Sequence, residues 1–300
     1  MSMKVLVTGG NGFLGSNVVR KLLSEGHSLF VISNNSNNLT DILPQLTYST
    51  AYTDEIDKFQ PDVVIHFGWK GGNNAKDVQH IDQFYDNMPM SLDLLSRLSS
   101  LPKKPKFIGV GSFAEYGDYD YPIGEELFEQ PQTLYGVSKL ALKNYTKVIC
   151  EQNGMEWSWI RPCYVYGPGD VSTRLIPTTI NKCINNQPIE LDACNKFIDY
   201  LYIDDFCTYV SYLVANKSSG VYNLSSGTQS FLQDVIRLIH NQVGNDNSIN
   251  FAEQEHIQTK WMCGDNSKIV QESGQAPSTD FLTGITKTIN FYRNETLNYN

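Results

Sequence analysis

Through its first half the chain alternates between two rhythms. Short apolar runs, often β-branched, recur, and each is followed by a segment whose apolar residues return at helical spacing. Strands are predicted at Lys4–Thr8, Ser28–Ser33, Asp62–Phe67, Lys106–Gly111 and Trp157–Arg161. Helices are predicted from about Ser16 to Glu25, near Asp54–Phe59, over Asp82–Ser100 and from about Thr133 to Asn153. In Val63-Val64-Ile65-His66-Phe67 consecutive positions are apolar, the mark of a parallel strand covered on both faces. The β-α alternation predicts an α/β fold: a Rossmann-type, doubly wound parallel sheet. After Pro162 the rhythm changes, and Gly167-Pro168-Gly169 interrupts regular structure. Beyond it helices are predicted near Leu175–Asn185, from a cap at Asp204-Asp205 to Ala215, over Phe231–Val243 and from about Thr283 to Arg293. Short strands are predicted at Ile189–Leu191, Tyr200–Ile203 and Tyr222–Leu224. The expected division is a first domain of residues 1–165 with about 198–225, and a smaller interleaved C-terminal domain of 166–197 and 226–300.

Charge narrows the field of partners. With 23 basic and 32 acidic residues the net charge is −9, and no basic run occurs. Nucleic acid and anionic membrane surfaces are therefore not expected as partners. No apolar run approaches the roughly 18 residues of a membrane span, and a first strand beginning at Lys4 leaves no room for a signal peptide. Six scattered cysteines without a C-x-x-C pair read as free thiols of a cytoplasmic protein and argue against a metal site.

Gly9, Gly12 and Gly15 stand in Gly-x-x-Gly-x-x-Gly spacing between the first strand and the first helix. Glycine there permits a tight turn and lets a diphosphate reach the main chain, while the helix start offers N–H groups and the positive end of its dipole. In that setting the pattern predicts dinucleotide binding. Tyr135 and Lys139 form Tyr-x-x-x-Lys within a predicted helix, which puts both side chains on one face. An ammonium beside a phenol favours the phenolate and brings a group that ordinarily titrates near pH 10 toward neutrality, where it can exchange protons with a carbonyl or an alcohol. Ser112 follows a predicted strand, at the sheet edge where open α/β folds bind ligands, so its hydroxyl can bond the same substrate oxygen.

Taken together, Thr8-Gly9-Gly10-Asn11-Gly12-Phe13-Leu14-Gly15, His66-Phe67-Gly68, Asn87, Gly111 to Gly117, Tyr135-x-x-x-Lys139, Arg161 to Gly169, Asp199 to Asp205 and Gly220 to Leu224 form an ordered set over nearly the whole chain. That set resembles the extended short-chain dehydrogenases/reductases, in the branch that modifies nucleotide-activated sugars. The resemblance implies that Tyr135 is the proton donor or acceptor at a sugar oxygen. It implies that Lys139 binds the nicotinamide ribose, and that Ser112 orients the carbonyl with Phe113 and Ala114 beside the sugar. Gly9, Gly12, Phe13, Leu14 and Gly15 would hold the diphosphate, Phe67 and Gly68 would pass beside the cofactor, and Asn87 would support the active-site helix. Pro162, Tyr164 and Val165 would edge the nicotinamide, with Tyr164 also turned to the substrate. A nucleotide-diphosphate sugar is the implied substrate. The resemblance also implies a homodimer, and Leu140, Leu142 and Val148 either supply its face or belong to the core.

Departures from the family pattern narrow the chemistry. Relatives that prefer NAD carry an acid at the end of the second strand, on the adenosine ribose. Here Ser33, Asn34 and Asn35 are neutral donors, which favours NADP(H) over NAD(H). The adjacent Asp and Glu of dehydratases are replaced by Phe113 and Ala114, with Glu115 one position further on. The arginine that often precedes the Asp199 motif is Ile198, and Arg174, Lys182, Lys196 and Lys260 are candidate substitutes, Arg174 being the one assigned to the substrate. Trp69 either covers cofactor or sugar, or packs as a large residue under a loop. The expected activity is NADPH-dependent reduction at C4 of a nucleotide-linked 4-keto-6-deoxyhexose. A 4-epimerase that keeps NAD bound is the first alternative, and a non-catalytic dinucleotide sensor the second.

Overall fold

Each apolar run of the first half forms a strand, and the spatial order of those strands decides where a ligand can sit. The computed structural model describes residues 2–71, 77–253 and 261–298. The chain begins β1 (Lys4–Thr8), α1 (Phe13–Ser24), β2 (Ser28–Ile32), β3 (Thr47–Ser49), α2 (Glu55–Phe59) and β4 (Val63–His66). It continues through α3 (Asp82–Tyr85), α4 (Met88–Ser100), β5 (Lys106–Val110), α5 (Leu134–Gln152) and β6 (Trp157–Pro162). Next come β7 (Tyr164–Tyr166), α6 (Leu175–Ile184), β8 (Ile189–Leu191), β9 (Phe197–Tyr202), α7 (Ile203–Ala215) and β10 (Gly220–Leu224). The remainder is β11 (Gln229–Phe231), α8 (Leu232–Val243), β12 (Ile249–Phe251), β13 (Trp261–Met262), α9 (Ser267–Ser273) and α10 (Phe281–Asn298).

Two compact units result. The first comprises Met1–Gly117, Phe128–Pro162 and Cys207–Asn223, and the second Asp118–Leu127, Cys163–Phe206 and Leu224–Asn300. The first is built on a seven-stranded parallel sheet of order β3-β2-β1-β4-β5-β6-β10. Register aligns Phe30, Leu6, Val64, Phe107 and Trp157 in one buried row across it. Leu94, Leu95 and Leu98 of α4 and Leu142 of α5 belong to the same apolar cluster, each such burial contributing about 1.5–3 kcal/mol. On the other face Val7 and Val31 pack around Gly10 with Val19 of α1. Both faces are covered, which is why these strands read as unbroken apolar runs. The chain leaves β1 for β2 and β3 on one side and returns to β4 on the other, so the sheet has its topological switch point at the carboxyl ends of β1 and β4.

The second unit centres on β9, parallel to β7 and β13 and antiparallel to β11, with β8 and β12 paired separately. Asp199 of β9 is fully buried and accepts from Ser226 N (2.8 Å) and Oγ (2.6 Å), Gly227 N (3.0 Å) and Gly264 N (3.3 Å), so it ties two loops to the strand.

Several elements depart from expectation. Helix α1 starts at Phe13 with Gly12 as its cap, so Gly15 lies inside the first turn instead of before it. The single helix expected over Asp82–Ser100 is two, because Pro89 cannot continue a helix from Asn87 and favours a fresh start. Asp204 and Asp205 lie in the first turn of α7, and Asp205 accepts from the Ser278 and Thr279 N–H groups. Of the residues open between a dimer face and the core, Leu142 is core, whereas Val148 is exposed. All six cysteines are unbridged. Among the described residues no helix is long and apolar enough to cross a membrane.

Candidate active site

The glycine loop occupies the switch point. Gly9 has φ +67°, and a Cβ on it would come 2.7 Å from Gly68 N and 2.8 Å from Phe67 C. A Cβ on Gly15 would strike the Gly9 carbonyl oxygen. These two glycines therefore let the β1 turn, the start of α1 and the β4 loop lie together. Gly12 is exposed at the cap, Phe13 is buried beneath it and Leu14 is half-buried.

The end of β2 is a web of amides. Ser33 Oγ accepts from Asn11 N (3.3 Å), and Asn35 Oδ1 accepts from Asn11 Nδ2 (2.5 Å) and Asn37 N (3.3 Å). The Asn38 N–H donates to Asn11 Oδ1 at 2.7 Å. Asn35 thus already stitches this loop to the glycine turn, while Asn34 is exposed. No carboxylate occurs at positions 33–35.

Tyr135 and Lys139 sit on the first two turns of α5, whose start is capped by Thr133 Oγ1 accepting from Gly136 N at 3.0 Å. Lys139 is 4% exposed and donates from Nζ to the Val110 carbonyl (2.8 Å) at the carboxyl end of β5. Its Nζ lies 5.8 Å from the centre of the Tyr135 ring. Burial draws the Lys139 pKa down to about 7, against the attraction of Glu115. Ser112 follows β5 by two residues, and its Oγ accepts from Ala114 N at 3.1 Å, which leaves its hydroxyl proton to donate.

Glu115 is the residue whose role the sequence did not disclose. It is fully buried, accepting from Ser112 N (2.8 Å), Trp159 Nε1 (3.1 Å to each oxygen) and Arg161 Nε (2.8 Å). A carboxylate so walled in is not free to move a proton at a substrate. The signal was the Ser-x-x-Glu spacing of a capping box, which this turn forms.

A second set of buried groups supports the site from β4. Gly68 N donates to Thr8 Oγ1 (3.2 Å), Thr8 Oγ1 meets His66 Nδ1 (2.6 Å), His66 Nε2 meets Ser91 Oγ (2.9 Å), and Ser91 donates to the Asn87 carbonyl (2.8 Å). Because Ser91 is the donor to Asn87, it accepts from His66, which places a proton on Nε2. Burial, with Lys139 adding to it, holds the His66 pKa down at about 3. Asn87 is fully buried. Its Oδ1 accepts from Lys70 N (2.6 Å), and its Nδ2 donates to the Lys70 and Gln83 carbonyls (3.1 and 3.0 Å). It holds the loop after β4 rather than facing a ligand.

The remaining expected residues divide. Phe67, Gly68 and Trp69 lie on that β4 loop, and the Trp69 ring is edge-on to Tyr135. Phe113 is turned into the core, 2% exposed and packed on Tyr116, so its ring offers no ligand surface; Ala114 is half-buried beside it. Pro162 ends β6 in the first unit. Tyr164, Val165 and Arg174 belong to the second unit, where Val165 is buried, Tyr164 is 42% exposed and Arg174 pairs with Asp170 at 3.4 Å. Lys182 and Lys196 are in the second unit too, and Lys260 lies outside the described residues.

Comparison with known proteins agrees with this architecture. A family model described as the NAD dependent epimerase/dehydratase family matches residues 5–225. A putative UDP-glucose 4-epimerase of Methanocaldococcus jannaschii is 25% identical over 97% of this chain and 98% of its own length. The dTDP-4-dehydro-6-deoxyglucose reductase of Escherichia coli is 25% identical over 96% and 97%. The crystal structure of Thermus thermophilus UDP-glucose 4-epimerase in complex with NAD superposes with a TM-score of 0.87 at 22% identity, over 97% of this chain and 99% of that one. At that identity the likeness speaks for the fold.

Proposed function

The chain belongs to the NAD dependent epimerase/dehydratase family, and from that premise we propose that it is an NAD(P)-dependent enzyme that reduces the C4 ketone of a nucleotide-linked 4-keto-6-deoxyhexose. The observation that carries this reading is the Tyr135–Lys139 pair, fixed at the carboxyl end of β5 by the bond from Lys139 to Val110, two residues before Ser112. Bound nicotinamide supplies the hydride. Tyr135 gives its hydroxyl proton to the oxygen that becomes the C4 hydroxyl, and Ser112 donates to the same oxygen and orients it. The Lys139 ammonium stabilises the phenolate left behind and presents its free N–H bonds to the ribose. The glycine loop and the start of α1 receive the diphosphate. Elimination of water is disfavoured, because Glu115 is bound by Ser112, Trp159 and Arg161.

NADPH is the proposed reductant, since positions 33–35 set no carboxylate against a 2′-phosphate. The NAD held by the Thermus thermophilus relative makes NADH the direct comparison. A 4-epimerase uses the same three side chains without net reduction, and the Methanocaldococcus jannaschii relative favours that second reading. Exposed Val137, Tyr145 and Val148 on α5, with Ile81, Phe84 and Tyr85 at α3, offer an apolar face for a proposed homodimer.

The test is loss of nicotinamide absorbance with 4-keto-6-deoxyhexoses linked to CDP, dTDP, GDP or UDP. Net oxidation of the dinucleotide is expected, and Tyr135→Phe should lower kcat by about 10²–10⁴. Undiminished turnover in that variant sinks the assignment. Sugar interconversion without net oxidation selects the epimerase.

A further inference from the structure

Trp69 joins the two members of the pair. Its indole face lies under the Lys139 ammonium, with Nζ 3.8 Å from the ring centre, and the ring meets that of Tyr135 edge to face at 6.1 Å and 85°. The indole is anchored, because its N–H donates to Gln83 Oε1 at 2.7 Å and Gln83 is 3% exposed. The next residue, Lys70, is clamped at both its N–H and its carbonyl by Asn87. The ring is therefore anchored from α3 and from the start of α4 as well as packed on α5.

A buried ammonium needs compensation for the water it has lost. One N–H of Lys139 goes to the Val110 carbonyl. Glu115, the carboxylate whose charge reaches it, is already engaged by three other donors. The electron-rich indole face supplies what these do not: a contact that favours the cation and accepts no proton. We propose that Trp69 is a positioning residue, an anchored aromatic wall that keeps Lys139 in its ammonium form and packs Tyr135 against it. The ionisable groups around Lys139 are Tyr135 on its own helix, Glu115 after β5 and neutral His66 at the end of β4.

The direct test needs no substrate. The Cε resonance of Lys139 is followed against pH in cofactor-free protein carrying 13C-lysine, with Lys139→Met providing the assignment. Trp69→Leu keeps an apolar wall but removes the π face, so the midpoint should fall by about one pH unit. Trp69→Phe keeps the face and should move it by less than half as much. Gln83→Leu unties the ring and should fall between them. A Trp69→Leu midpoint unchanged from wild type, in a protein with an unchanged melting curve, overturns the proposal. If Trp69→Leu does not fold, an unchanged midpoint in Gln83→Leu overturns it instead.

The consequence for turnover rests on the function proposed above. The alkaline limb of kcat with NADPH should follow the resonance midpoint to lower pH. A midpoint that moves while the limb stays put upholds Trp69 in this role and overturns the role given to Lys139.

Discussion

Arg161 and Lys139 are two buried cations in the same unit, and they have been treated in opposite ways. Arg161 is fully buried between carboxylates: Nε bonds Glu115, one terminal nitrogen bonds Glu129 at 2.8 Å, and the guanidinium stacks over Tyr116 at 4.1 Å. Lys143 reaches Glu129 as well, so two acids and two bases close on one another. Burial alone pulls the Arg161 pKa down, but Glu115 and its neighbours outweigh it and hold the value above ordinary. Lys139 is nearly as buried, yet its contacts are a carbonyl and an aromatic face, and its pKa falls to about 7. A paired charge is fixed and serves the fold. A charge left with neutral partners has a proton poised near neutrality, at a cost in stability, as sites of chemistry commonly do.

The contrast can be broken most forcefully at Glu115. Glu115→Leu takes one of two carboxylates from Arg161 and leaves the Ser112 and Trp159 N–H groups without their acceptor, so it should cost about 3–5 kcal/mol in urea unfolding. A loss below about 1 kcal/mol, against that expectation for a broken buried pair, would show that the cluster does not hold the fold.

Lys139→Met should act in the opposite direction, raising stability by roughly 2 kcal/mol at pH 7 while activity is lost. Between about pH 7 and 10.5 the unfolded chain holds a proton that the folded protein releases, so wild-type stability rises with pH through that window. The advantage of the methionine variant should therefore shrink from pH 7 to 10, as thermal melts at several pH values will show. An advantage that grows over that range contradicts the reading of Lys139 as a strained cation.

His66 sharpens the comparison with a smaller effect. It is buried neutral, with a pKa held at about 3, whereas in the unfolded chain it takes up a proton near pH 6.5. Its contribution is constant above pH 6.5 and declines as the pH falls from there toward 3, by about 1.4 kcal/mol at pH 5.5. His66→Gln should flatten the acid side of the stability profile. An equally steep acid limb in that variant would place the titrating group elsewhere.

The alternation of apolar runs, the glycine spacing and the Tyr135–Lys139 interval were legible because each is local. A strand period, a turn needing φ above zero and an i, i+4 helical pair are all set within a few residues of one another. The β4 loop was harder to read. Nothing near Trp69 in sequence says that its ring will meet a lysine seventy positions away, nor that Gln83 and Asn87 will pin it there. Glu115, one position beyond where dehydratases carry their acids, reads in the sequence only as displaced; the bonds from Trp159 and Arg161 of β6 are what give it a buried structural role.

The amino-acid sequence by itself determined the family, the doubly wound sheet and the placing of Tyr135 and Lys139 on one helix, because these rest on short-range periodicity and on residues that few other patterns require. Tertiary structure alone decided which charges are neutralised and which are left mobile. Solvation and pairing depend on what β4, β5 and β6 bring from distant parts of the chain to one place, and no local pattern carries that distance.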